Sequence, residues 1–150
     1  MKKLLFLFAT VLLISCSSDD NSNPTTENSI VGKWQLNQIL EYGNPITGYT
    51  CNPAFDVTQF MANGNSTSKY ADLDNNGNCV QFTDNNTFTV QGNILTESYD
   101  GTYDYIYKYK IIELTNTSLR LELQSETFDN GNDSYTYESG EEVKVFSKIN

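Results

Sequence analysis

The chain has no histidine, and Arg120 is its single arginine. The commonest general base and the commonest metal ligand are therefore missing. Its three cysteines show no CxxC spacing, which leaves neither a Cys–His dyad nor a Cys/His zinc site. No serine sits in a Gly-x-Ser-x-Gly elbow. Basic charge is scarce, with nine Lys and Arg against 19 Asp and Glu and a net charge of −10. That balance speaks against tracking a phosphate backbone, so no nucleic-acid partner is expected. It also speaks against a basic patch on anionic lipid headgroups. No stretch of useful length carries a 3.6-residue apolar period. Carboxylates are plentiful, and a carboxylate pair is the one catalytic arrangement left open. Most of them stand in loops or on polar strand faces, where solvated charge is the ordinary state. The expectation is a non-enzymatic protein without a required cofactor.

What is present begins with an address. Lys2 and Lys3 precede an apolar run, Leu4 to Ile14, too short to span a bilayer comfortably as a helix. It reads as the apolar region of a secretory signal peptide, residues 1–15. Leu13-Ile14-Ser15-Cys16 resembles the lipobox of bacterial lipoproteins. The resemblance implies that Cys16 takes a thioether-linked diacylglycerol and becomes the acylated first residue, through the one side chain nucleophilic enough for that bond. Several acyl chains anchor stably, because each buried CH₂ contributes about 0.8 kcal/mol. The expected location is the outer membrane, held by lipid, on its periplasmic or cell-surface face. Losing Lys2 and Lys3 leaves seven basic side chains against 19 acidic ones. With Cys16 lipidated, Cys51 and Cys79 remain as a pair in an oxidising compartment, where a disulfide is expected.

Residues 16–29 continue as a polar tether, "SSDDNSNPTTENS" after the lipid Cys, with no large apolar residue to order it. Residues 30–150 then read as short strands between Asn, Asp and Gly clusters. Trp34, Leu36, Gln38 and Leu40 share one face of the first strand. Phe55 to Met61 and Ser66 to Tyr70 flank an Asn63-Gly64 turn. Asp84-Asn85-Asn86 reads as a second hairpin turn, between Val80–Phe82 and Thr87–Val90. Tyr103 to Leu114 alternates well, and Asn116-Thr117 turns it into the Leu119, Leu121, Leu123 strand. Tyr135–Tyr137 and Val143–Ile149 complete the series. Eight or nine consecutive strands suggest an all-β, antiparallel, up-and-down meander that closes into a barrel of about eight strands.

Gly32-Lys33-Trp34 looks like the Gly-x-Trp motif that opens the first lipocalin strand. With the lipobox, the tether and "YKIIELTNTSLRLEL", the chain resembles the lipocalin-like domains of small outer-membrane lipoproteins. The resemblance implies that Gly32 permits close approach at the barrel floor and Trp34 plugs it. A basic residue from the last strand would cover the Trp, with Lys148 the candidate and Arg120 the alternative.

Two further groups could carry binding. Tyr99, Tyr103, Tyr105, Tyr107 and Tyr109 share parity, so four or five would line one strand face. Such rings offer an apolar body with a polar tip; Tyr103, Tyr105, Tyr107 and Tyr109 are the ligand-binding candidates, and rim packing is the plainer alternative. "DLDNNG" places Asp72, Asp74 and Asn76 as in the first half of a calcium loop, but Thr83 stands where a Glu would complete it. A polar turn is the favoured reading there, with calcium the alternative. The expected activity is non-catalytic binding of a small hydrophobic or amphipathic molecule in the barrel mouth. The rival is a surface module that touches protein or glycan and has a filled barrel.

Overall fold

A computed structural model describes residues 29–52, 56–99, 105–128 and 133–150. The segments read above as signal peptide and tether, Cys16 included, therefore lie outside the described residues except for Ser29, as does Tyr103. The strands are β1 (Gly32–Glu41), β2 (Asn44–Pro45), β3 (Val57–Phe60), β4 (Asn65–Leu73), β5 (Cys79–Gln91), β6 (Ile94–Tyr99), β7 (Tyr105–Leu114), β8 (Ser118–Phe128), β9 (Asp133–Thr136) and β10 (Glu142–Ile149). Every pairing is antiparallel. The path runs β10-β1-β3-β4-β5-β6-β7-β8, and β10 pairs with β8 to close an eight-strand barrel. β2 and β9 are short additions: β2 extends the β1 edge used by β3, and β9 extends the β8 edge used by β10.

The core follows from alternation. Trp34 and Leu36 point inward from β1, Phe60 from β3, Leu95 from β6, Leu119, Leu121 and Leu123 from β8, and Phe146 from β10. Tight turns close the Trp34 end: residues 61–64, 92–93 and 115–117. Trp34 is fully buried there, and its Nε1 donates to the Ile30 carbonyl at 2.7 Å. Phe60 meets Phe88 edge to face with ring centres 4.9 Å apart. Removing a buried ring of this kind costs roughly 3–5 kcal/mol. At the other end the connections are longer. Residues 46–52 are pinned there by Ile46 N donating to Ile39 O at 2.9 Å and by Ile39 N donating to Tyr49 Oη at 3.0 Å. The Cys51–Cys79 disulfide, Cα atoms 5.7 Å apart, ties the same segment to the start of β5.

Three local readings need correction. First, a β-bulge between Leu36 and Gln38 shifts the register of β1 against β10. Beyond it, Ile39 packs on the core, in place of Gln38 and Leu40. Second, Asp84-Asn85-Asn86 makes no turn. β5 runs unbroken from Cys79 to Gln91, because β4 pairs with residues 79–87 and β6 with residues 86–91. Third, Tyr99 is not on the strand of Tyr105–Tyr109. It ends β6, a strand hidden in sequence by the charged Glu97 at its centre, and it faces Tyr105 across the β6–β7 pair.

Candidate functional site

Above the packed floor, β6 and β7 line the interior with polar and aromatic groups. Their cross-strand pairs are Leu95–Tyr109, Glu97–Tyr107 and Tyr99–Tyr105. Alternation on β7 puts Tyr105, Tyr107 and Tyr109 on one inner face. Tyr105 and Tyr107 stack with centres 6.3 Å apart, and Tyr107 and Tyr109 at 6.2 Å. Tyr99 meets Tyr107 edge-on at 5.2 Å. The ribbon continues through Phe128, 5.9 Å from Tyr105, to Tyr135, 5.5 Å from Phe128. It thus climbs from buried Tyr109 to Tyr135, which is 58% exposed.

A cavity of about 190 Å³ lies inside the barrel beside this ribbon. That is room for roughly six waters, at about 30 Å³ each. Leu36, Phe60, Leu121 and Phe146 form its apolar base; Thr58, Ser68, Tyr70, Tyr99 and Tyr109 form its sides. Asp56, Glu97 and Lys144 bring charge to it. Glu97 is only 5% exposed, and its Oε1 accepts a hydrogen bond from Ser66 Oγ at 3.0 Å. Burial pushes the Glu97 carboxyl up from its ordinary pKa, against opposition from the Ser66 bond and the Lys144 charge. Burial likewise raises Asp56, whose Oδ1 accepts from Ala71 N at 3.1 Å. The Lys144 ammonium donates to Tyr109 Oη at 3.2 Å and lies 3.6 Å from Glu142.

A second carboxylate organises the rim. Glu126 accepts from Tyr107 Oη on Oε1 and from Tyr137 Oη on Oε2, both at 2.9 Å. Burial and then this bond raise the Tyr137 phenol to about 12. Tyr99, Tyr107 and Tyr109 are raised too, with burial the leading cause in each. Glu122, buried between β8 and the turn before β10, is used structurally. It accepts from Ser139 Oγ at 2.8 Å and from Gly140 N at 2.6 Å.

The other residues singled out in the sequence sit elsewhere. At the closed end, the Lys148 ammonium lies 5.1 Å from the Trp34 ring centre and donates to Val31 O at 3.3 Å. Gly32 lies beneath the Lys148 stem, with φ of +144°; a Cβ added there would come within 2.6 Å of Lys148 Cε. Arg120 stands between Leu119 and Leu121 on β8, opposite Val145 and away from Trp34. In "DLDNNG", Asp74 Oδ1 accepts from Asn76 N and Asn78 N, each at 2.8 Å, while Asp72 Oδ1 accepts from Leu73 N. The loop's own amides thus hold the Asp74 carboxylate in a turn, while Asp72 belongs to β4. No group of three His, Cys, Asp or Glu gathers for a metal among the described residues.

Sequence reasoning passed over Asp56, Asn86, Glu97 and Lys144. Their signal was a polar or charged residue on an inner-facing parity: Leu95-x-Glu97-x-Tyr99 and Lys144-x-Phe146-x-Lys148.

Comparison with known proteins accords with this architecture. The crystal structure of a lipocalin-like protein from Bacteroides uniformis superposes with a TM-score of 0.52 at 18% identity, covering 79% of this chain and 97% of that one. At that identity the likeness concerns the fold. No protein of curated function matches the chain. A family model described as a lipocalin-like domain matches residues 30–121, from just before the strand of Trp34 to Leu121 in β8. Such domains are in general a binding fold and not a catalytic one, and they suggest a small-molecule ligand. With most of its length inside that match and an eight-strand closed barrel around it, this chain belongs to the lipocalin-like domain family.

Proposed function

We propose that this protein is a lipid-anchored, non-catalytic binding protein of the outer membrane that takes a small amphipathic molecule into its barrel. The observation that carries the reading is the cavity of about 190 Å³, with Leu36, Phe60 and Phe146 at its base and Tyr99, Glu97 and Lys144 above. Apolar walls with a few convergent polar groups are the ordinary make-up of a ligand pocket. The volume is below the usual range of about 300–1,000 Å³ for drug-sized ligands, which favours a small guest. Anchoring rests on Cys16 and the residues before it. Cys16→Ser should release the protein from the membrane fraction, and retention there contradicts the anchor. Binding is tested by displacement of a fluorescent amphiphile from the full chain. Saturable binding at one site per chain supports the reading. Absence of binding, together with no co-purifying small molecule, contradicts it.

The rival reading, a surface module for protein or glycan, draws on the outer end of the aromatic ribbon. Phe128 and exposed Tyr135 stack there outside the cavity. A ligand that binds with the cavity filled would favour it.

A further inference from the structure

We propose that the barrel cavity selects guests with a small organic ammonium head, with Glu97 as counter-ion and tyrosine rings as walls. This rests on the binding reading above and names its ligand class.

Charge balance inside the cavity comes first. Two carboxyls, Asp56 and Glu97, line it, and neither has a Lys or Arg within 4.0 Å among the described residues. The Lys144 ammonium, which lines the cavity, is already engaged by Tyr109 Oη and Glu142, and the Lys148 ammonium is spent on Trp34 at the closed end. Lys69 also borders the cavity, but it alternates with inward Ser68 and Tyr70 and is exposed on the outer wall. Glu126 adds further negative charge toward the mouth, near Tyr107 and Tyr137, while the Glu142 charge is paired with Lys144. A carboxylate guest would enter against this field. Lys144 already opposes the burial that raises both carboxyls, and a second cation would favour their ionised forms further.

Unused hydrogen-bonding capacity comes second. Glu97 uses Oε1 for Ser66, while Oε2 accepts no bond from a described residue. Beside it, Asn86 is 5% exposed, and neither Nδ2 nor Oδ1 has a partner. Alternation on β5 points Asn86 inward, directly across from Ser66 on β4 and Tyr99 on β6. Buried polar groups are nearly always satisfied, so an orphan amide next to a half-used carboxylate marks a place for a polar guest. An ammonium brings up to three donors: one is assigned to Glu97 Oε2 on the cavity wall, and a second to Asn86 Oδ1, which lies diagonal to Glu97 across the β5–β6 pair and outside the residues that line the cavity. The Tyr99 ring, which also lines the cavity, supplies the remaining attraction, whereas the Tyr109 ring already carries the Lys144 ammonium 5.3 Å from its centre.

The test uses three guests with one ring and different heads: 2-phenylethylammonium, 2-phenylethanol and phenylacetate. Each is titrated calorimetrically into the full chain at neutral pH. The ammonium should bind at least tenfold more tightly than the alcohol, and phenylacetate most weakly. Glu97→Gln should erase the ammonium preference while keeping the alcohol affinity. Asn86→Leu should weaken the ammonium and the alcohol. A preference for the alcohol or the carboxylate in the wild-type chain overturns the ammonium assignment and leaves small-molecule binding standing. An ammonium preference that survives in Glu97→Gln overturns the counter-ion role. If no guest of the three binds, both the ligand class and its cavity fall.

Discussion

The Lys148 ammonium lies over the Trp34 indole, 5.1 Å from the ring centre, and joins the last strand to the first at the closed end. Such a contact contributes roughly 0.5–2 kcal/mol. Lys148→Met keeps most of the stem and removes the charge, so urea unfolding should show a loss of that size. Gly32→Ala should cost more, about 1–3 kcal/mol, because Gly32 has φ of +144° and its new Cβ would strike the Lys148 stem. Adding Lys148→Ala should recover part of that loss. Simple additivity of the two would contradict the close approach.

The disulfide closes a loop across 28 residues of sequence separation. In the chain-entropy model that is worth about 3–4 kcal/mol. A Cys51→Ser, Cys79→Ser double variant should unfold at correspondingly lower urea. Reductant should lower the melting midpoint of the native chain and leave that of the variant unchanged.

Glu97 gives stability a pH dependence. Its folded-state pKa is raised, so the folded chain holds this proton more tightly than the unfolded chain does. As pH rises from the ordinary carboxylate value, about 4, through the raised folded one, the unfolded state carries fewer protons and stability falls. Asp56 acts in the same direction. Each pH unit of difference at Glu97 is worth about 1.4 kcal/mol. Glu97→Gln should therefore raise the melting midpoint at neutral pH and flatten its decline with pH. An unchanged slope contradicts the buried carboxyl as its source.

The Asp74 turn is satisfied by its own amides. Melting with a calcium chelator should therefore match melting without it. A clear fall in midpoint would restore the calcium reading of Asp72, Asp74 and Asn76.

Much of the barrel was legible because period-2 runs dominate the chain. Leu119, Leu121 and Leu123 announce an inner face, and the parity of Tyr105, Tyr107 and Tyr109 fixes their shared side. The bulge at Asn37 was hidden, since an inserted residue changes parity without any special residue type. Asp84-Asn85-Asn86 carries turn chemistry, yet pairing with β4 on one side and β6 on the other overrides it. The cavity charges were illegible for a related reason. Glu97 looks like a solvent-facing residue until Ser66, 31 positions earlier, and Lys144 from the last strand come beside it.

The most direct measurement concerns where a guest sits. Ser68 lines the cavity, with its Oγ 3.3 Å from Thr58 Oγ1. Ser68→Phe fills that space, at an overpacking cost of about 1–3 kcal/mol that a stable barrel tolerates. Native mass spectra of the wild-type and Ser68→Phe chains, each purified mildly from the cells that make it, compare the two directly. The expected result is a bound small molecule on the wild-type chain and its loss from a variant that still melts cooperatively. The same bound mass on both chains, or none on the wild type, would contradict a ligand site inside the barrel.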